Sequence, residues 1–90
     1  MTLLLFTRQG CCLCEGLEEK LRALQPPPKL DIRDVDAESA LQARYGFEVP
    51  VLALPTADGR WQELPRVPPR LSGQALGIWL RRNGFPCESA

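Results

Sequence analysis

Arg8-Gln9-Gly10-Cys11-Cys12-Leu13-Cys14 is the stretch from which the rest of the chain can be placed. Upstream, Leu3-Leu4-Leu5-Phe6 is an uninterrupted apolar run, as expected of a strand buried on both faces. Downstream, Leu13, Leu17, Leu21 and Leu24 recur at helical spacing. Cys11 and Cys14 therefore form a Cys-x-x-Cys pair where a strand hands over to a helix, an arrangement suited to redox chemistry. The first turn of a helix has unpaired N–H groups and partial positive charge. A sulfur there ionises more readily than a free thiol of pKa about 8.5. At pH 7 that free thiol is about 3% ionised, whereas one with a pKa near 7 is about half ionised. Arg8 adds positive charge upstream; Glu15 opposes it. Cys11, at the helix start, is expected to attack, and Cys14, one turn on, to resolve the resulting mixed disulfide.

The strand, the Cys-x-x-Cys, the helix and Glu48-Val49-Pro50-Val51, about 35 residues later, together resemble the thioredoxin superfamily. Within it the chain is most similar to small glutaredoxin-like proteins, over nearly its whole length. The resemblance implies an α/β, thioredoxin-like, three-layer α/β/α fold. The implied activity is thiol–disulfide exchange on protein disulfides or glutathione mixed disulfides, with glutathione or a thioredoxin-type reductant restoring the dithiol. No tightly bound cofactor is expected; glutathione is the implied co-substrate. The resemblance also implies a cis Val49–Pro50 bond beside the cysteines, with the Val49 N–H and C=O free to pair with a substrate backbone. Arg8 matches the basic residue that glutaredoxins place before the first cysteine, suited to a glutathione carboxylate.

The sequence also departs from that pattern. Cys12 and Leu13 stand where proline and tyrosine are common, and Glu48 where threonine is usual. Leu71-Ser72-Gly73 occupies the region of an absent Gly-Gly-x-Asp. Ser72, with its helix N-terminus, is the candidate carboxylate binder there, although capping alone accounts for it. Cys12 is read as a small buried residue rather than a third redox thiol, and Cys87 as a spare thiol in the tail. Three cysteines in four positions are too crowded for easy tetrahedral wrapping of a metal. A second reading is a binding module that carries an iron–sulfur cluster or docks a partner without turnover. A third is a domain whose cysteines are inert.

Ninety residues suit a single domain, 1–90, with one modest core. Eleven basic residues balance eleven acidic ones, which argues against a strongly basic nucleic-acid surface. No apolar run approaches the roughly 18 residues that would span a bilayer. The short run after Met1-Thr2 does not read as a secretory signal. A cytoplasmic location is the expectation, and there a close cysteine pair points to catalysis or metal binding rather than a permanent brace.

The remaining pattern predicts the order β-α-β-α-β-β-α with a four-stranded mixed sheet. Strands are expected at Thr2–Phe6, Leu30–Val35, Pro50–Leu54 and Arg60–Leu64. Leu30, Ile32 and Val35 should point inward, in an edge strand whose charges are Asp31, Arg33 and Asp34. The first helix should run from Cys12 to Leu24, where Gly16 is either a close-packing point or tolerated drift. Pro26-Pro27-Pro28 ends that helix and stiffens the connection that follows. Asp36 should cap a second helix, Ala37–Tyr45, with Ala37, Ala40, Leu41 and Tyr45 inward and Gly46 at its end. Asp58-Gly59 marks a hairpin, and Pro65–Arg70 an irregular crossing. Ser72 should cap a helix over Gly73–Arg82, with Ala75, Leu76, Trp79 and Leu80 inward. Asn83-Gly84 should stop that helix, leaving Phe85–Ala90 as a tail.

Overall fold

Alternation along the first strand sets the layers. In the computed structural model, which describes residues 2–86, β1 is Thr2–Thr7. Leu3 and Leu5 point to one face of the sheet and Leu4 and Phe6 to the other, each at most 5% exposed. A strand buried on both sides needs cover on both. α1 (Cys12–Arg22) and α3 (Gly73–Arg82) supply it on the Leu3/Leu5 face, through Leu17, Leu21, Leu76 and Leu80. α2 (Ser39–Tyr45) supplies it on the Leu4/Phe6 face, through Leu41 and Tyr45. Full burial of each such side chain is worth about 1.5–3 kcal/mol relative to exposure.

β2 (Lys29–Asp34), β3 (Val51–Pro55) and β4 (Trp61–Glu63) complete a four-stranded mixed sheet in the order β2-β1-β3-β4. β1 and β2 are parallel, with Leu3 beside Leu30 and Leu5 beside Ile32. β3 runs antiparallel to both β1 and β4. The result is the thioredoxin-like α/β arrangement, with the cysteine pair at the C-terminal end of the central β1.

Several local expectations need correction. α1 ends at Arg22, and Ala23 takes the cap by donating to the Glu19 carbonyl. Leu24 is still buried in the core beyond it. β2 stops at Asp34 because the Asp34 carboxylate accepts the Asp36 N–H at 2.9 Å and turns the chain into a short 3-10 turn, Val35–Ala37. Val35 enters the core from that turn rather than from the strand. Ile32, at the sheet edge, is 38% exposed. Asp36 does not cap α2; Glu38 holds that place without a side-chain bond, and Ala37 and Ala40 are exposed. Gly46 ends α2 in a right-handed conformation, where a Cβ would lie 2.5 Å from the Gln42 carbonyl oxygen. β3 begins after Pro50, and β4 is three residues long, extended by the Leu64 N–H donating to Leu52 O. α3 has the expected bounds, but Ala75 faces solvent and Gly77 is buried. Phe85 belongs to the core, its N–H returning to Leu80 O at 2.9 Å. Gly84 allows that return with φ +97, a conformation side chains disfavour. Cys87 lies outside the described residues.

The edge strand β4 is fastened by a polar knot over aromatic rings. Phe6 lies 4.8 Å from the Tyr45 ring and 5.2 Å from the Trp61 ring, between centroids. Tyr45 Oη donates to Glu63 Oε1 at 2.6 Å and accepts from Trp61 Nε1 at 3.0 Å. Burial, and then the Glu63 carboxylate that takes its hydrogen bond, push the Tyr45 phenol above its ordinary range. An unfolded tyrosine ionises near pH 10. Above that pH the unfolded chain holds fewer protons than the folded one, so stability falls as pH rises; below it the contribution is complete. Tyr45 is the chain's single tyrosine, so phenolate absorbance reports it directly. We expect the absorbance midpoint above pH 10, and a urea midpoint that falls more steeply beyond pH 10 in wild type than in Tyr45→Phe.

Candidate active site

Gly10 makes the turn that ends β1. Its φ of +80 suits glycine, and the Cys11 N–H closes the turn onto Arg8 O at 3.2 Å. Cys11 then takes the N-cap position of α1 with extended backbone, φ −88 and ψ 106. Its carbonyl accepts the Glu15 N–H, and its sulfur accepts the Cys14 N–H at 3.1 Å. An N-cap is usually filled by Ser, Thr, Asp or Asn, whose oxygen takes that bond. Here a sulfur takes it, so whatever negative charge the sulfur carries faces an orphan donor and the positive end of the helix.

Cys11 and Cys14 are joined as a disulfide, with their Cα atoms 5.2 Å apart. The two sulfurs are not equivalent. Cys14 is buried, 2% exposed, whereas Cys11 is half-buried and reachable. Cys12 is exposed with a free thiol, which corrects the expectation that it is buried.

The other candidates fall in different places. Arg8 is engaged within the protein: Nε donates to Asp36 Oδ2 and Nη1 to Gly46 O, both at 3.0 Å. Gln42 Nε2 donates to Asp36 Oδ1, also at 3.0 Å. Arg8 thus ties the loop before Cys11 to the end of α2. The Val49–Pro50 bond is cis. Pro50 shares one groove with Cys12 and Leu13, the two residues after Cys11. The Val49 N–H is not free, because it donates to Tyr45 O at 3.2 Å and completes the end of α2. Ser72 holds the N-cap position of α3 without a side-chain bond and does not line the groove; its neighbour Leu71 does. Among the described residues no group of three or more His, Cys, Asp or Glu side chains gathers to hold a metal ion. No helix among them is long and apolar enough to cross a membrane.

The groove itself was missed from sequence. It holds about 120 Å³ between α1 and the crossing that precedes α3. A signal was present, since Leu13, Gly16, Leu17 and Lys20 follow helical spacing and share one face. The sequence pattern assigns Leu13 and Leu17 to the core and leaves Gly16 as close packing or drift, and Lys20 carries no reading; Leu13 is in fact 58% exposed. Gly16 is neither a close-packing point nor buried, because a Cβ there would meet nothing within 4 Å.

The family model for the Glutaredoxin-like domain (DUF836) matches residues 2–81. The chain belongs to that family. The glutaredoxin-like chain is also similar in structure to the target protein XcR50 from X. campestris, at 29% identity and a TM-score of 0.59. That match covers 89% of this chain and 96% of the other. A malarial protein at 16% identity shares the fold, with a TM-score of 0.54 over 93% of this chain and 97% of its own. No curated protein matches.

Proposed function

We propose that this glutaredoxin-like domain is a thiol–disulfide oxidoreductase that reduces disulfides of proteins or mixed disulfides with glutathione. The observation that carries the reading is the unlike pair. An accessible Cys11 sulfur accepts a helix N–H at 3.1 Å, and a buried Cys14 lies behind it at bonding distance.

In the reduced protein the Cys11 thiolate attacks one sulfur of the substrate disulfide. A Cys11–substrate bond forms, the substrate bond breaks, and the departing thiolate takes a proton from water. Cys14, having lost its proton, then attacks the Cys11 sulfur and releases the second substrate thiol. The substrate gains two electrons, and the domain is left with the Cys11–Cys14 bond. Two glutathione molecules, or a thioredoxin-type dithiol, return those electrons. The exchange passes entirely through sulfur and calls on no bound cofactor or nucleic acid. A reducing compartment such as the cytoplasm suits it.

Pro50 lines the groove that begins at Cys12, the residue after Cys11, and the Val49 C=O is the backbone group offered to a substrate N–H. Arg8 acts by holding the cysteine loop, its charge already met by Asp36, and Ser72 offers a second-line contact for a carboxylate at the start of α3.

Trapping tests the reading. With Cys14→Ser, the first step proceeds and the second cannot. Mass spectrometry after incubation with glutathione disulfide should show one glutathione adduct on Cys11 that persists, whereas wild type passes through it to the internal disulfide. An unmodified Cys11, or an adduct on Cys12 alone, would contradict the assignment.

A further inference from the structure

We propose that the groove that begins at Cys12, one residue after Cys11, is a docking site for protein substrates, and that it selects disulfides whose cysteine is flanked by an apolar and an acidic residue. This rests on the exchange function above and names its substrate class.

Three observations converge on the groove. Its walls are apolar, formed by Leu13, Pro50, Val67 and Leu71, and Leu13 is 58% exposed. Its volume of about 120 Å³ has room for about four waters, at the roughly 30 Å³ each takes up in the liquid. An apolar side chain that displaces loosely held water from such walls gains affinity. The groove is also charged with one sign. Lys20 and Arg66 line it and no acidic residue does, although the chain as a whole is neutral. Lys20 Nζ donates to the Pro69 carbonyl, a neutral partner that leaves its charge uncompensated. An acidic group on the incoming chain supplies the complement.

Gly16 is the third observation. A glycine inside a helix costs about 1 kcal/mol relative to alanine. Nothing in the fold demands this one, since no positive φ is involved and no neighbour would meet a Cβ. What its missing side chain leaves is open space in the groove.

Beyond Pro50 the surface gains acidic groups. A second groove there is lined by Glu48 and Glu63 as well as the shared Pro50 and Arg66, and Glu63 is ion-paired with Arg44 at 2.7 Å. The γ-glutamyl end of glutathione carries an ammonium beside its carboxylate, so only its glycine end offers Lys20 and Arg66 an uncompensated acid. A protein segment can place an acidic residue and an apolar one on the Lys20/Arg66 side together.

The experiment compares reduction rates by the reduced protein on four disulfides: the dimer of Glu-Leu-Cys-Leu-Glu, the dimer of Lys-Ser-Cys-Ser-Lys, glutathione disulfide, and small neutral hydroxyethyl disulfide. We expect the acidic apolar peptide to react about tenfold faster than the basic polar one, a difference of about 1.4 kcal/mol. Gly16→Leu fills the groove with a good helix former, and Arg66→Glu reverses an exposed charge. Each should erase most of that preference while leaving hydroxyethyl disulfide unaffected. Equal rates on the two peptides in wild type, or glutathione disulfide outpacing both, would overturn the docking proposal and leave the exchange function intact. Failure on all substrates, hydroxyethyl disulfide included, would overturn both.

Discussion

Replacing Cys11 by serine should take disulfide reduction down to the rate of a protein-free solution. The drop is expected to be at least about three orders of magnitude, because a serine hydroxyl stays protonated where a capped thiol ionises. The fold gives no reason for collateral damage. Serine is itself a preferred N-cap, so the Cys14 N–H keeps an acceptor and α1 keeps its start. Circular dichroism should therefore be unchanged while turnover vanishes. Cys12→Ser is the matched control. It removes an exposed thiol one residue away and should retain activity, since Cys12 takes no part in the pair. If Cys12→Ser lost turnover and Cys11→Ser kept it, the roles assigned to the two sulfurs would be wrong.

The largest stability effect is expected at Phe6. This ring is 1% exposed and touches both aromatic partners of the knot that holds β4 to α2. Phe6→Ala should cost about 3–5 kcal/mol, from lost burial and from the cavity left under Tyr45 and Trp61. A small domain has only about 5–15 kcal/mol in total, so the variant should lose a large part of its stability. The urea midpoint measures this, with the fluorescence of the chain's two tryptophans, Trp61 and Trp79, following the transition. Loss of less than about 1 kcal/mol would mean that the Leu4/Phe6 face of the sheet does not depend on this packing. Because Phe6 lies five residues before Cys11 on the central strand, partial unfolding here should also lower activity, in proportion to the folded fraction.

Much of the architecture was legible because apolar spacing reports burial directly. Leu3 to Phe6 form the central strand and Leu17, Leu21 and Leu24 face the core as their spacing indicates, whereas Leu13, on the same spacing, is exposed and lines the groove. The hairpin at Asp58-Gly59 was legible for a different reason: Gly59 adopts φ +83, which few residues other than glycine tolerate. The misplaced details share a cause, since each turns on a side chain choosing between local partners. Asp34 rather than Asp36 caps the turn after β2, which frees Asp36 for Arg8 and Gln42. Spacing cannot separate two aspartates two residues apart. Phe85 looked like tail because the helix stop at Asn83-Gly84 was visible, whereas the return into the core depends on tertiary contacts.

At the site, the Cys-x-x-Cys pair was legible because helix-terminus chemistry is local. The engagement of the Val49 N–H with Tyr45 was not, because it depends on where α2 ends. The groove escaped notice because half of it comes from the irregular 65–71 crossing, which carries no periodic signal.

The account depends most on Cys11 being held ready as a thiolate at the entrance of α1. The direct measurement is the rate of iodoacetamide alkylation at Cys11 in the reduced protein as a function of pH, read residue by residue by mass spectrometry. We predict a midpoint well below the free-thiol value of about 8.5. A Cys11 midpoint at or above about 8.5 would contradict the account, because the helix end would then confer no activation on the sulfur that must attack.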